Sequence, residues 1–568
     1  MSKLLTVYAI GGGMLGLTLI LTVFAQCFWQ TSQGDVFDWN SVEATSTFRW
    51  QRCYKHYQCT RLKVPMNYTN PSSGWAGLAI IRVPSLFPTT SPSYQGPLII
   101  NPGGPGGSGV SLILRSGIHF STILDGRFDI IGLDPRGIGR SNPRVKFFRT
   151  YSEQALWLDG EYPDALNSST QVLPRSIARA QLMGHLAEDQ DDGTLGHITT
   201  ENIARDMLSI ARANGDDKLQ YWGFSWGTIL GVVFATLFPD HVGRMVLDGV
   251  IDAEDYYATL WSNNLLDTNK TLQHFFQACV DAGPTDCAFY APNATEIAYD
   301  LDRLYDVVKA QPVPVYQGRT YGLVDYSLLR RAVFTALYSP FTMFEPLAQG
   351  LADLQAGNGD AIYSLVNRPR FECGDAEDYQ YSNQYESGTA LHCLDGDEVH
   401  DTPAELRHFY EKMTEYTTLA ELWAVVRIRC SGWRVRTKRT LPTKFGGRTS
   451  SPLLLVSNTA DPVAPLWAAH KTSKWFPGSV VLTQDAPGHC SVSAVSSCTQ
   501  SSIKEYLLNG NLPNANATIC AVDEGLFKGN KRRADTEAPS QQQPLARHDT
   551  YLNDIRLLRD SFQLALPT

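Results

Sequence analysis

The sequence has no long run of lysine or arginine, no C-x-x-C pair and no H-E-x-x-H segment, and no stretch of it repeats at a fixed period. The first absence, with a formal net charge of −9, argues against a nucleic-acid partner. The next two leave zinc without ligands at its usual spacings, so neither a metal nor a cofactor is expected. The lack of a repeat argues against a solenoid. Charge is also missing from one end: after Lys3 no charged residue occurs before Asp35. The apolar stretch Leu4 to Ala25 is long enough to span a bilayer, while Val23 and Ala25 suit a signal-peptidase site after Ala25. Residues 1–30 therefore read as a signal peptide or a membrane anchor, with single-pass association through residues 4–25 in the second case.

What is present is a globular composition, 43% hydrophobic and 18% charged over 568 residues, which is more than one minimal domain. Five N-x-[ST] sequons stand at Asn67, Asn167, Asn269, Asn293 and Asn516, and with the leader they point to a secreted or membrane-anchored, lumenal or extracellular glycoprotein. Of 11 cysteines, ten follow Cys27. An even number in an oxidising compartment suggests that all ten pair, as five disulfides. Cys53 with Cys59, Cys279 with Cys287 and Cys498 with Cys520 are the candidate pairs. The pairing of Cys373, Cys393, Cys430 and Cys490 cannot be deduced from spacing.

Short, almost wholly apolar runs alternate with helical patterns. "PLIIN", "FDIIGLD", "LQYWGFS", "RMVLDGV", "SPLLLVSN" and "SVVLTQDA" read as strands buried on both faces, which implies an α/β sheet. The pattern stops between residues 252 and 445, where stretches such as "TLQHFFQACV" and "YSLLRRAVFTALY" are helical, and then it resumes. That organisation is a core in two parts, 45–251 and 446–525, around an inserted, mainly helical cap at 252–445. Residues 526–568 form a C-terminal extension, expected to be a polar, disordered tail ending in a short helix.

Gly223-Phe224-Ser225-Trp226-Gly227 matches the G-x-S-x-G elbow, with an apolar strand before it and an apolar helix after it. Small residues permit the tight turn that lifts the serine oxygen above a sheet. Such a serine needs a base, and the base needs an orienting acid, in the chain order Ser, acid, His. His489, in "DAPGHCS" after the last long strand, fits the base better than His470 in a helical pattern or His548 in the tail. Asp461, just past "SPLLLVSNTA", is the favoured acid, and Asp248, one strand earlier, is its rival. The glycine-rich "NPGGPGGSG" also fits G-x-G-x-x-G. Two strands precede it, however, and Asp129 opens the following strand instead of closing it, which is the wrong order for a dinucleotide site. It suits an oxyanion loop instead, with Gly104 (or Gly103) and Trp226 giving the two N–H donors. Four cap acids, Glu372, Asp375, Glu377 and Asp378, are candidates for holding a substrate ammonium group.

With these residues placed, the chain resembles the tripeptidyl-aminopeptidase and prolyl-aminopeptidase branch of the α/β-hydrolases, in particular its secreted fungal and actinobacterial members. The segments that carry the resemblance are "CTRLKVPMNY", "NPGGPGGSG", "FDIIGLDPRGIGRSNP", "TTENIARDM", "YWGFSWGT", "GRMVLDGVID", "SNTADPVAPLWAAH" and "APGHCSVS". "CTQSSIKEYLLNGNLPNANATIC" resembles that family's C-terminal region. Trp226 departs from a tyrosine common there. The resemblance implies an α/β-hydrolase fold and a serine exopeptidase that releases short peptides or residues from a free N-terminus. An esterase or lactone hydrolase on the same residues is the alternative, with a small ester in place of the peptide. A non-catalytic binding protein is disfavoured because no member of the catalytic set is missing.

Overall fold

A computed structural model describes residues 37–160, 164–318, 320–366, 382–437, 440–442, 444–514, 518–528 and 545–562. The leader, Cys373, Asn516 and the four acids Glu372, Asp375, Glu377 and Asp378 lie outside them. No helix among the described residues is long and apolar enough to cross a membrane.

Eight strands precede the insertion: β1 (Ala44–Thr45), β2 (Gln51–Cys53), β3 (Tyr57–Pro65), β4 (Trp75–Val83), β5 (Pro97–Asn101), β6 (Asp129–Leu133), β7 (Leu219–Phe224) and β8 (Val242–Asp248). β9 (Val313–Gln317) and β10 (Thr320–Val324) form a separate antiparallel hairpin, and β11 (Leu454–Ala460), β12 (Val480–Pro487) and β13 (Ile519–Cys520) complete the set. The main sheet runs β1-β3-β4-β6-β5-β7-β8-β11-β12-β13, with β2 paired to β3. From β6 to β13 every pairing is parallel. All the long connections therefore leave from one edge, where the carboxyl ends of β5, β7, β8, β11 and β12 come together. A parallel sheet is covered on both faces, which is why its strands are continuous apolar runs. The helix Trp226–Leu237 is buried over its first ten residues, Trp226 to Ala235, so it has no polar face.

Between β8 and β11 the chain leaves the sheet through a set of helices, among them Thr268–Asp286, Ala294–Ala310, Tyr326–Tyr338, Pro340–Gln355 and Gln384–Asp395, with the β9–β10 hairpin in their midst. Among the described residues four disulfides join Cys53 to Cys59, Cys279 to Cys287, Cys393 to Cys430 and Cys498 to Cys520. Cys490 is a buried free thiol, so five pairs from ten cysteines is wrong. Its sulfur packs against the Asp248 carbonyl and the His489 ring, with no second cysteine beside it among the described residues. The C-terminal extension ends in a helix, as the sequence suggests, but a longer one that is packed into the core. Leu545–Ser561 spans 17 residues, and Leu552, Ile555, Leu558 and Phe562 are buried in the same cluster as Trp222 and Phe224.

The Phe562 ring lies 4.7 Å from that of Phe224, the residue before Ser225, and 6.1 Å from that of Phe120. The tail thus closes the core directly behind the serine turn. Emptying a packed aromatic site of this kind costs about 3 kcal/mol. Phe562→Ala is accordingly expected to lower the urea midpoint by that equivalent, and an unchanged midpoint would show that the helix contributes nothing there.

Candidate active site

Ser225 has φ 56° and ψ −124°, a region that costs a non-glycine residue energy and persists only where surrounding bonds enforce it. The enforcement is visible. The Ser225 N–H donates to the Asp248 carbonyl at 2.9 Å, and the Ser225 carbonyl accepts from Thr228 N and Thr228 Oγ1. Gly103 packs directly on the turn: a Cβ there would meet Phe224 O at 2.4 Å and Ser225 Cβ at 2.9 Å. Bulk at position 103 is excluded for that reason.

His489 and Asp461 are fully buried, and the imidazole Nδ1 lies 2.9 Å from both carboxylate oxygens. Asp461 also accepts from the backbone N–H groups of Val463, Ala464 and Cys490 at 2.9–3.0 Å. A carboxylate surrounded by donors holds Nδ1 as the protonated nitrogen and leaves Nε2 free to accept a proton. Asp248, the rival acid, is bonded elsewhere: Oδ1 accepts from Ser491 N at 2.7 Å, and Oδ2 from Ser491 Oγ at 2.5 Å and Trp222 Nε1 at 3.3 Å. Burial pushes its carboxyl up to about 6. No hydrogen bond joins Ser225 Oγ to His489 among the described residues; catalytic bonds of this kind often tighten only once substrate is bound. His470 is exposed in the helix Leu466–Ser473.

The two candidate glycines, Gly103 and Gly104, differ in their amide partners. Gly103 N–H is spent on the Asn101 side chain at 2.9 Å. Gly104 N–H has no acceptor among the described residues, and neither does Trp226 N–H at the first position of its helix, where backbone donors are left over by geometry. Gly103, next to Gly104 in the chain, packs against the Trp226 amide: a Cβ there would come within 3.1 Å of Trp226 N. The nearest set of metal-ligand types, Asp461, His489 and Cys490, has its donor atoms within 4.8 Å of one another. Both Asp461 oxygens and His489 Nδ1 are already engaged with each other, so the set reads as an orienting network.

The cap roofs this edge of the sheet. The His489 N–H donates to the Tyr338 carbonyl at 2.9 Å, and the two rings meet edge to face at 5.1 Å. Asn383 accepts from Gly139 N and donates to the Gly137 and Val145 carbonyls. It thereby fixes the start of the helix Gln384–Asp395 against the loop after β6, and Gly106 lies so near that helix that a Cβ there would meet Gln384 O and Ser387 Oγ at 2.8 Å. The Trp226 indole donates to Tyr256 Oη at 3.0 Å; Tyr256 donates to Asp395 at 2.7 Å, and Asp395 also takes two bonds from Thr200. Position 226 is thus tied to the cap by a buried polar chain. Glu386 is a further buried carboxyl with no cation at ion-pair distance among the described residues. Gln154 donates to it at 2.7 Å, and burial pushes it up to about 7. Sequence reasoning missed Asn383, Tyr338, Asp395 and Glu386, whose partners lie far away in the chain, and Asn101, whose local bond to Gly103 N–H needs the turn itself to be seen.

A positive-φ serine turn, a mostly parallel sheet and a base following the last long strand define an α/β-hydrolase. A family model described as alpha/beta hydrolase fold matches residues 96–289, and one described as TAP-like protein matches residues 416–520. Carboxylesterase B of Mycobacterium tuberculosis is 30% identical over 498 residues, 84% of this chain and 88% of the relative. Serine protease Hip1 of Mycobacterium tuberculosis is 29% identical over 484 residues, 81% and 86%. Tripeptidyl aminopeptidase of Streptomyces lividans is 28% identical over 495 residues, 83% and 86%. The chain belongs to the α/β-hydrolase family, in its TAP-like branch, and is a hydrolase.

Proposed function

We propose that the protein is a serine exopeptidase that releases short peptides or single residues from free N-termini through an acyl-enzyme on Ser225. The observation that carries the reading is the His489 Nδ1 contact to both oxygens of buried Asp461, beside a serine held at positive φ. Ser225 Oγ attacks the scissile carbonyl while His489 Nε2 takes its proton. The oxygen of the tetrahedral intermediate is stabilised by the N–H groups of Gly104 and Trp226. The intermediate collapses with proton transfer from His489 to the leaving amine. Water then repeats the sequence on the acyl-enzyme and releases the acid. The similarity to Hip1 and to tripeptidyl aminopeptidase favours a peptide substrate. The 30% identity to carboxylesterase B favours the second reading, a short-chain ester. A secretory-pathway setting is supported by the apolar segment 4–25 and by four disulfides, which persist in oxidising compartments. The sequons Asn167 and Asn293 are exposed and Asn67 is half-buried.

Recognition of a free N-terminus needs a carboxylate. The acids at 372–378 retain that role in the proposal, and Glu386, at the cap helix beside the glycine loop, joins them. A charged hydrogen bond to the ammonium group is expected to make kcat/KM roughly 10²-fold higher for a free tripeptide amide than for its N-acetyl form. Steady-state assays of the two peptides beside a short acyl ester check this. Equal rates on both peptides would refute N-terminal recognition, and turnover of the ester alone would favour the second reading.

A further inference from the structure

The loop that carries His489 is fastened on several sides. Gly488 N donates to Ala460 O, His489 N to Tyr338 O and Cys490 N to Asp461. Asn458 Nδ2 holds the carbonyls of Gly488 and Cys490, and Gln484 Nε2 holds that of Ser491. These partners belong to β11, to β12, to the acid itself and to the cap. They set His489 relative to Asp461, but they do not set it relative to Ser225, which stands at the end of β7 with β8 and β11 lying between it and β12.

Asp248 spans that gap. It ends β8, the strand between β7 and β11. Its carbonyl accepts the Ser225 N–H at 2.9 Å and faces the Cys490 thiol at 3.4 Å. Its carboxylate takes both donors of Ser491, the N–H at 2.7 Å and the hydroxyl at 2.5 Å. The remaining contact, from Trp222 Nε1 at 3.3 Å, comes from β7, so the side chain too is braced against the nucleophile's own strand. One fully buried residue therefore bonds the serine turn through its backbone and the base loop through its side chain.

We propose that Asp248 is a positioning residue that sets the approach of His489 to Ser225, a role separate from the Asp461 contact that orients the imidazole. The inference rests on the serine-hydrolase reading above. An asparagine in its place retains one acceptor and turns an NH2 group toward a second donor, either Ser491 or the Trp222 indole. Either the base loop loses an anchor at Ser491 or the side chain loses its brace on β7 at Trp222, and in both cases the Nε2-to-Oγ distance loses its definition. A displacement of about 1 Å between reacting groups lowers turnover by about 10²-fold.

The test is steady-state kinetics with active-site titration by a fluorophosphonate, so that kcat refers to folded, reactive sites. Asp248→Asn is expected to lower kcat by about 10²-fold while KM stays within about twofold of wild type, because the cap and the oxyanion loop are untouched. Ser491→Ala removes only the hydroxyl contact and keeps the N–H contact; it is expected to lower kcat about tenfold with the same unchanged KM. This second variant decides the matter if Asp248→Asn fails to fold. A kcat per titrated site equal to wild type, whatever happens to KM or to the melting temperature, would overturn the proposal and make Asp248 a structural brace only. Wild-type protein labelled at Ser225 confirms the reading on which the inference rests, whichever way the variants behave. Wild-type protein that hydrolyses substrate without labelling there would overturn that reading and this inference with it.

Discussion

Ser225→Ala and His489→Ala are each expected to lower kcat by about 10⁶-fold, and the double variant no further, because nucleophile and base act as one unit and their losses do not add. Alanine at 225 keeps the backbone bonds to Asp248 and Thr228 and loses one oxygen. It inherits the φ of 56° at no greater steric cost than serine, so the melting temperature should hold. His489→Ala leaves a cavity under Tyr338 and removes a bond to Asp461, so a lower melting temperature should accompany its loss of turnover. Residual activity over the uncatalysed rate should remain in all three, supplied by Gly104, Trp226 and substrate binding. Steady-state turnover of the purified variants checks the set. A double variant markedly worse than either single one would mean that the two residues do not form a unit.

Asp461→Asn is expected to lower kcat by about 10⁴-fold. Both Asp461 oxygens accept: Oδ1 from Val463 N and Ala464 N, Oδ2 from Cys490 N, and both from His489 Nδ1. An asparagine can present one acceptor and one donor. If its oxygen stays with Val463 and Ala464, its NH2 faces the imidazole and forces the tautomer in which Nε2 already carries the proton. That histidine has no lone pair for Ser225, and the imidazolium formed in the reaction has no counter-charge. The loss should exceed that of Asp248→Asn by about two orders of magnitude, since misplacement alone costs about 10². Turnover of the two variants side by side measures the difference, and the reverse ranking would make Asp248 the acid.

The elements that repeat a local pattern were legible in the sequence. The elbow shows itself because a strand, G-x-S-x-G and an apolar helix occur in immediate succession. The cap shows itself as a long interval without buried-strand runs. Neighbouring cysteines such as Cys53 and Cys59 pair as proximity suggests. Cys393 and Cys430 are 37 residues apart, and no local signal joins them. Counting cysteines failed at Cys490 because its burial serves packing beside His489, which composition does not reveal. The terminal helix carried a usable signal, Leu552, Ile555, Leu558 and Phe562 on one face, but it stands next to a polar stretch that dominates the average. The choice of Gly104 over Gly103 turns on one side chain, Asn101, that accepts the other amide. The Trp226–Tyr256–Asp395–Thr200 chain joins residues from four separate elements, and only the folded chain brings them together.

The central claim, acyl transfer on Ser225 with His489 as base, is tested most directly by treating the full chain with a fluorophosphonate and mapping the adduct by peptide mass spectrometry. The account predicts a single phosphonylated residue, Ser225, in the wild-type protein, no adduct in Ser225→Ala, and a greatly slowed reaction in His489→Ala. An adduct on any other residue, or an unlabelled wild-type protein that still hydrolyses its substrate, would contradict it.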